Sequence, residues 1–311
     1  MTLTTPTRVR PKNEILVYRA IDNLLRYCLR KLPPTKRIEA IALWWGYRFQ
    51  PAPRLSRLRS GSLIETTHAD HLQLLIYYLG TFEPYCMPFV RGCVSPGGTI
   101  VDVGANIGVY TLEGAAAVGA TGRVISIEAA PLHAKALSHN IELNGLTNVS
   151  VIETAVGRSR GEATLARLSK DNLGMFSLGA NGDVEATVVT VRTIDELLEE
   201  YGVRSIDLIK MDIEGSEYNA LLGAERIIRT ARPAILIELN EPALRSCGSS
   251  SRDVRRLLHG MDYRGWKIGR SCVKPLTNEN DMIECDECIF IPRDNQTLIA
   301  KLGLEEPIVI N

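Results

Sequence analysis

The chain predicts an α/β protein, a doubly wound and mostly parallel sheet preceded by a helical extension. Three observations predict it. From residue 98 onward, short apolar runs alternate with helical segments, and the runs lack the polar–apolar alternation of one-sided strands. The first run, "IVDVGANIG" at 100–108, enters a glycine turn that leads directly into a helix. The residues before it show helical spacing and a basic excess instead.

Taken in order, Val17, Ala20, Ile21, Leu24, Leu25 and Cys28 recur at helical spacing, so a helix is expected from Asn13 to Lys31. "LPP" at 32–34 stops it, and a second helix runs from Lys36 to about Tyr47, where "QPAPR" follows. A third is expected near 68–79, and a short one after "EPYCMPF". Strands are then expected at 99–103, 123–128, 149–153, 206–212 and 234–239, with helices at 107–118, 131–143, 194–201, 216–229 and 252–260. Two last strands, near 263–268 and 285–292, have only a loop between them and close the sheet as an antiparallel pair. The segment 158–192 departs from this rhythm, with "EATLARL" and "EATVVTVR" flanking the glycine-rich "KDNLGMFSLGANGD". So long an insertion reads as a substrate lid. Residues 1–63 are read as the helical extension and 64–311 as the main domain.

At 311 residues, 45% hydrophobic and 23% charged, the chain has an ordinary soluble composition. No apolar run approaches the roughly 18–20 residues that span a bilayer. "MTLTTPTRVRPKNE" lacks the apolar core of a secretory signal, and seven scattered cysteines suit a reducing compartment. A cytoplasmic location is expected. The zero net charge hides an asymmetry: residues 1–60 hold 13 Lys or Arg against Glu14, Asp22 and Glu39, a surplus of +10. With Trp44, Trp45, Tyr47 and Phe49 among them, these residues form either a solvated basic face or a peripheral contact with anionic membrane. The core shows no basic pattern with stacking platforms, so no nucleic-acid partner is expected. Cys285 and Cys288, with Cys272 upstream, form a C-x-x-C without a second pair; "CDECIFIP" reads as a strand with alternate residues buried, not as a zinc site.

Open α/β sheets bind ligands at the carboxyl ends of their strands. Asp102, Glu128, Thr154, Asp212 and Glu238 fall at or just after those ends, and all but Thr154 are acidic. Such a rim repels a pyrophosphate and suits a cationic ligand. Gly104 and Gly108 allow close approach to the backbone, and Asn106 is a residue type that tolerates the left-handed region. Glu128 stands where an acid holds a ribose diol, with Thr154 and Ala155 at the end of the next strand. S-adenosylmethionine, a nucleoside carrying a sulfonium and an ammonium but no phosphate, meets these requirements. An NAD-type turn or a purely structural tight turn remains the alternative.

"IVDVGANIGVYTLEGA", "ISIEAAP" followed by "NIELNGL", and "IDLIKMDIEGSEYNALLGA" resemble the FkbM family of S-adenosylmethionine-dependent methyltransferases. The resemblance runs over roughly residues 64–292 and includes "YLGTFEPY". It implies a class I methyltransferase fold with a seven-stranded sheet, and O-methylation of a hydroxyl on a sugar, glycolipid or polyketide-type natural product. It carries Asp102, Gly104, Asn106, Gly108 and Glu128 over as cofactor residues, and Asp212, Glu214 and Glu217 as the motif after the fourth strand. In one departure, Asn240 stands where many relatives place a histidine. Of the histidines, His133 and His139 are expected on a helix surface, while His68 and His71 precede the sheet and are within reach of the site; His259 lies far along the chain.

Methyl transfer to a hydroxyl needs the acceptor oxygen about 3 Å from the methyl and in line with the breaking bond. It also needs a group to take the hydroxyl proton. Asp212 is the first choice for base or substrate anchor, with Glu238 as the second catalytic candidate. A further hypothesis groups Asp212, Glu238 and Asn240 as oxygen ligands of Mg²⁺. The competing functions are an NAD(P)-dependent oxidoreductase and a binding module without turnover. The acceptor, a small-molecule or glycolipid hydroxyl, is left to residues 158–192 and the leader.

Overall fold

The computed structural model describes residues 12–49, 54–66, 70–167, 176–178, 186–277, 283–305 and 308–309. The leader folds as α1 (Lys12–Lys31) and α2 (Lys36–Phe49), with Pro33 and Pro34 between them. A hairpin follows, β1 (Arg54–Arg57) pairing antiparallel with β2 (Leu63–Thr66), so the boundary expected at 63/64 falls inside it. Next comes α3 (His71–Leu79), capped by Asp70 at its start and closed by Gly80 at φ 68°. Leu29 of α1 and Ala42 of α2 pack with Leu74, Tyr77 and Tyr78 of α3. The anchor is Asp22 of α1: its buried carboxylate accepts from Tyr77 Oη at 2.7 Å, Tyr78 Oη at 2.6 Å and Trp45 Nε1 at 3.1 Å, with Arg54 at 3.2 Å. Filled lone pairs are the condition on which a carboxylate is buried.

A short α4 (Met87–Cys93) leads into β3 (Thr99–Val103), α5 (Val109–Val118), β4 (Arg123–Glu128), α6 (Pro131–Leu143) and β5 (Val149–Glu153). β6 (Ala155–Val156) follows, and the insert supplies β7 (Gly161–Arg167), β8 (Phe176–Leu178) and β9 (Ala186–Arg192). Then come α7 (Ile194–Glu200), β10 (Leu208–Met211), α8 (Glu217–Leu222), α9 (Glu225–Ala231) and β11 (Ala234–Asn240). The chain continues through α10 (Glu241–Ser246), α11 (Ser251–Gly260), β12 (Tyr263–Ile268) and β13 (Cys272–Pro275). It reaches β14 (Cys285–Pro292), α12 (Gln296–Lys301) and β15 (Ile308–Val309).

Among the described residues the central sheet has nine strands, in the order β15-β13-β12-β14-β11-β10-β3-β4-β5. All seven expected strands are in it, and β12 and β14 do pair antiparallel. The sheet is wider than expected because β13 forms within the presumed loop and β15 adds to it at the edge. Val101, Ile209, Ile235 and Ile237 face helices α7 to α9 and α11, while Ile100, Leu208, Leu236 and Ile289 face α4, α5 and α12. Both faces are covered, which is why the strands read as unbroken apolar runs. The same cover explains β14, buried continuously from Glu287 onward where alternate burial was expected: it lies between β11 and β12.

The single helix expected at 216–229 is two, α8 and α9. They part at Gly223, where a Cβ would stand 2.1 Å from the carbonyl oxygen of Gly157. In the insert, both expected β pieces are strands, β7 and β9, and with β6 and β8 they form a separate sheet in the order β6-β9-β7-β8. Residues 168–175 and 179–185, most of the glycine-rich middle, lie outside the described residues. No helix among the described residues is long and apolar enough to cross a membrane.

Candidate active site

Strand order reverses at β3, with β4 on one side and β10 on the other, and a crevice opens at their carboxyl ends. Gly104 begins the turn there at φ 82°, and a Cβ on it would lie 1.9 Å from the backbone oxygen of Asp212. Only glycine lets the β3 turn and the end of β10 come so close. Two residues on, Asn106 takes the left-handed region at φ 50°, as its residue type allowed. Its N–H donates to Glu128 Oε2 at 2.8 Å, and Ala130 N–H donates to Glu128 Oε1 at 2.8 Å. Glu128 therefore braces the turn against the β4–α6 connection. Burial lifts its pKa to about 7.

The crevice is a cavity of about 320 Å³. Gly104, Asn106, Glu128, Thr154 and Ala155 from the expected cofactor set line it, and so do Asp212, Glu214, Glu238 and Asn240. Leu165 of the insert reaches the same wall. Asp102 and Gly108 do not line it. Asp102, 1% exposed, accepts from Thr111 Oγ1 at 2.6 Å, and burial raises its pKa to about 6. It fixes α5 to β3 and bears on a ligand only through the turn. Gly108, at φ 100°, starts α5. Glu217 is also off the wall: it accepts from the N–H groups of Ile213 and Gly215, each at 3.0 Å, and so holds the loop that presents Glu214.

The acids around Asp212 are strongly perturbed. Its charge, followed by burial, pushes Glu238 up to about 10, and burial with Asp212 raises Glu214 to about 8. One buried cation stands behind them. Lys210 Nζ lies 3.8 Å from Asp212 Oδ2, 3.2 and 3.3 Å from the two oxygens of Glu287, and 4.8 Å from the centre of the Tyr110 ring. Burial alone would lower the Lys210 pKa, but Glu287, Asp212 and Glu83 outweigh it and hold the ammonium charged. Tyr110 Oη donates to Glu83 Oε2 at 2.6 Å, and a Glu83 carboxyl oxygen lies within 4.8 Å of one of Glu287.

The histidines divide differently from the expectation. His71 lines the cavity, and so does His133, which was expected on a helix surface but is 5% exposed with Nδ1 3.9 Å from Glu128 Oε1. Its position on the first turn of α6 points it back over the end of β4. His139 is exposed and pairs with Glu65 at 2.9 Å, His259 is exposed on α11, and His68 lies outside the described residues. Cys285 lines the cavity and donates to Glu238 Oε1 at 3.5 Å, while Cys288, an odd number of residues along β14, faces the other way. The C-x-x-C is a strand segment, not a ligand pair.

The model of the methyltransferase FkbM domain matches residues 102–264, more than half of the chain. The chain belongs to the FkbM methyltransferase family. Among its relatives, methyltransferase sdnD of Sordaria araneosa is 26% identical over 196 residues, covering 53% of this chain and 74% of that protein. Methyltransferase 1 of Beauveria bassiana is 27% identical over 146 residues; the match takes in 40% of this chain and spans only 58% of that protein. A solved FkbM methyltransferase from Methylobacillus flagellatus aligns with a TM-score of 0.42 at 18% identity, over 90% of this chain and 60% of that one.

The FkbM domain match contains the turn, Glu128, Lys210, Asp212 and Glu238 but leaves out Glu83 and Glu287. The sequence reading missed Lys210, Glu83 and Glu287 altogether. A signal was present for two of them: a lysine in "LIKM" and a glutamate in "DECIFI" are charges inside strands covered on both faces, and each needs a partner. Nothing local names the partner, because the two are 77 residues apart.

Proposed function

We propose that this FkbM methyltransferase moves a methyl group from S-adenosylmethionine to a hydroxyl of a sugar, glycolipid or natural product. The carrying observation is the cavity wall itself: a glycine turn and Glu128 on one side, and Asp212 with Glu238 on the other. Glu128 would accept the ribose hydroxyls, Thr154 and Ala155 would border the base, and the backbone at Gly104–Asn106 with the acids near Asp212 would receive the cationic amino-acid end. When bound, the cofactor supplies a methyl on a sulfonium, which is already a good leaving group. The chain's own residues then divide the proton work. Asp212, held by Lys210, takes the proton from the acceptor hydroxyl, and Glu238, with its raised pKa of about 10, stays protonated and orients the acceptor oxygen. Leu165 of β7 would border the acceptor.

The oxygen set grouped for Mg²⁺, Asp212, Glu238 and Asn240, lines the cavity, and two of its three members already accept hydrogen bonds. Asn240 Oδ1 accepts from Ala243 N–H at 3.3 Å as the cap of α10, and Glu238 Oε1 accepts from the Cys285 thiol. Glu83, Cys86 and Glu287 do lie at metal-ligand spacing, but the Lys210 ammonium already sits against Glu287. The test is transfer of labelled methyl from S-adenosylmethionine to free sugars, glycolipids and polyketide-type alcohols, with and without EDTA. Label on oxygen at an undiminished rate in EDTA is expected. Label on nitrogen or carbon would overturn the hydroxyl reading, and loss of transfer in EDTA would restore the metal.

A further inference from the structure

We propose that the outer face of the α1–α2 hairpin docks on an anionic lipid surface. Ten large hydrophobic side chains are exposed among the described residues, and seven of them lie on this hairpin. Ile21, Leu24 and Tyr27 are on α1, Leu32 is in the connection, and Ile41, Trp44 and Tyr47 are on α2. Leu24 is 63% and Trp44 65% exposed. On each helix the spacing of three puts these side chains in one stripe, opposite the residues that pack on α3, Leu29 and Ala42 among them. Both helices lie on α3 and the Trp45–Asp22 hydrogen bond joins them, so the two stripes share one side of the molecule.

The charges on that side have one sign. Lys31, Lys36, Arg37 and Arg48 are exposed. The acids whose side chains are described turn inward: Asp22 is buried on α3, and Glu39 pairs with Arg270 at 2.6 Å. A face with Trp and Tyr for the head-group level, aliphatics for the acyl boundary and unopposed bases around them complements anionic lipid. A second copy of the chain would set base against base, which disfavours a dimer through this face. The helix beneath, α3, also lends His71 and Leu72 to the cavity wall, so docking would bring the cavity near the lipid. The inference does not rest on methyl transfer, and its readout does not use it.

The test is sedimentation of the full chain with vesicles of phosphatidylcholine alone and of phosphatidylcholine mixed with phosphatidylserine. Binding is expected to the mixed vesicles only, and to weaken as salt shortens the screening length. Reversing Lys31, Lys36 and Arg37 to Glu should weaken it by about five-fold or more per base. Leu24→Ser with Trp44→Ser should weaken it by about tenfold or more while leaving the unfolding midpoint in place, since both side chains are exposed. Equal binding to neutral vesicles, unchanged binding in both variants, or light scattering that shows a dimer abolished by Trp44→Ser would overturn the proposal.

Discussion

Asp212→Asn is expected to lower kcat by about 10²–10⁴-fold, the usual contribution of a positioned base. Cofactor affinity should stay within about twofold, because an interaction used only in the transition state leaves ground-state binding alone. The geometry gives the reason. Asp212 sits at the end of β10 on the cavity wall, with the Lys210 ammonium 3.8 Å behind it. Asparagine keeps the size but cannot take a proton. The substitution also removes the largest cause of the raised Glu238 pKa and leaves burial and Glu287 to hold it up, so Asp212→Asn with Glu238→Gln separates the two carboxyls. Single-turnover rates and calorimetric cofactor affinities, measured side by side, check this. A variant with wild-type kcat would move the base elsewhere.

Lys210→Met is expected to destabilise the fold by about 3–5 kcal/mol at pH 7.5, the cost of leaving a buried charge without its partner. The loss should depend on pH in a definite direction. Burial holds the Glu287 carboxyl well above its usual range and Glu83 adds to this, with Lys210 as the opposing charge. Without Lys210 the folded-state value rises further above the unfolded value of about 4.3. A group of that kind contributes its stability in full below the unfolded pKa and loses it as pH rises toward the folded one. Wild type and variant share this loss while Glu287 is protonated in both, so the gap between them should widen only once pH passes the wild-type folded value, where Lys210 supports the carboxylate and the variant has nothing in its place. Urea unfolding at several pH values measures this, and a pH-independent difference would contradict it.

How much of this was legible in the sequence follows from the range of the forces involved. The strands and helices of the central sheet are set by local periodicity and by glycine and proline, so their order could be read directly. Asn106 was legible too, because its residue type announces a left-handed turn. Glu128 and Asp212 were found from strand ends, where open sheets place their ligands. What stayed hidden depends on contacts between distant segments. That Asp102 turns under α5 depends on Thr111, and that His133 faces inward depends on where α6 docks. The Glu83–Glu287–Lys210 group joins α4's approach, β14 and β10, three segments with no shared local pattern. The need for glycine at 223, between α8 and α9, likewise comes from the Gly157 carbonyl far upstream.

Calorimetric titration of the free chain with S-adenosylmethionine, and separately with NAD, tests the central claim most directly. Saturable binding of S-adenosylmethionine, lost on Glu128→Ala, with no binding of NAD, is the predicted result. Binding of NAD in its place, or of neither nucleoside, would contradict the account.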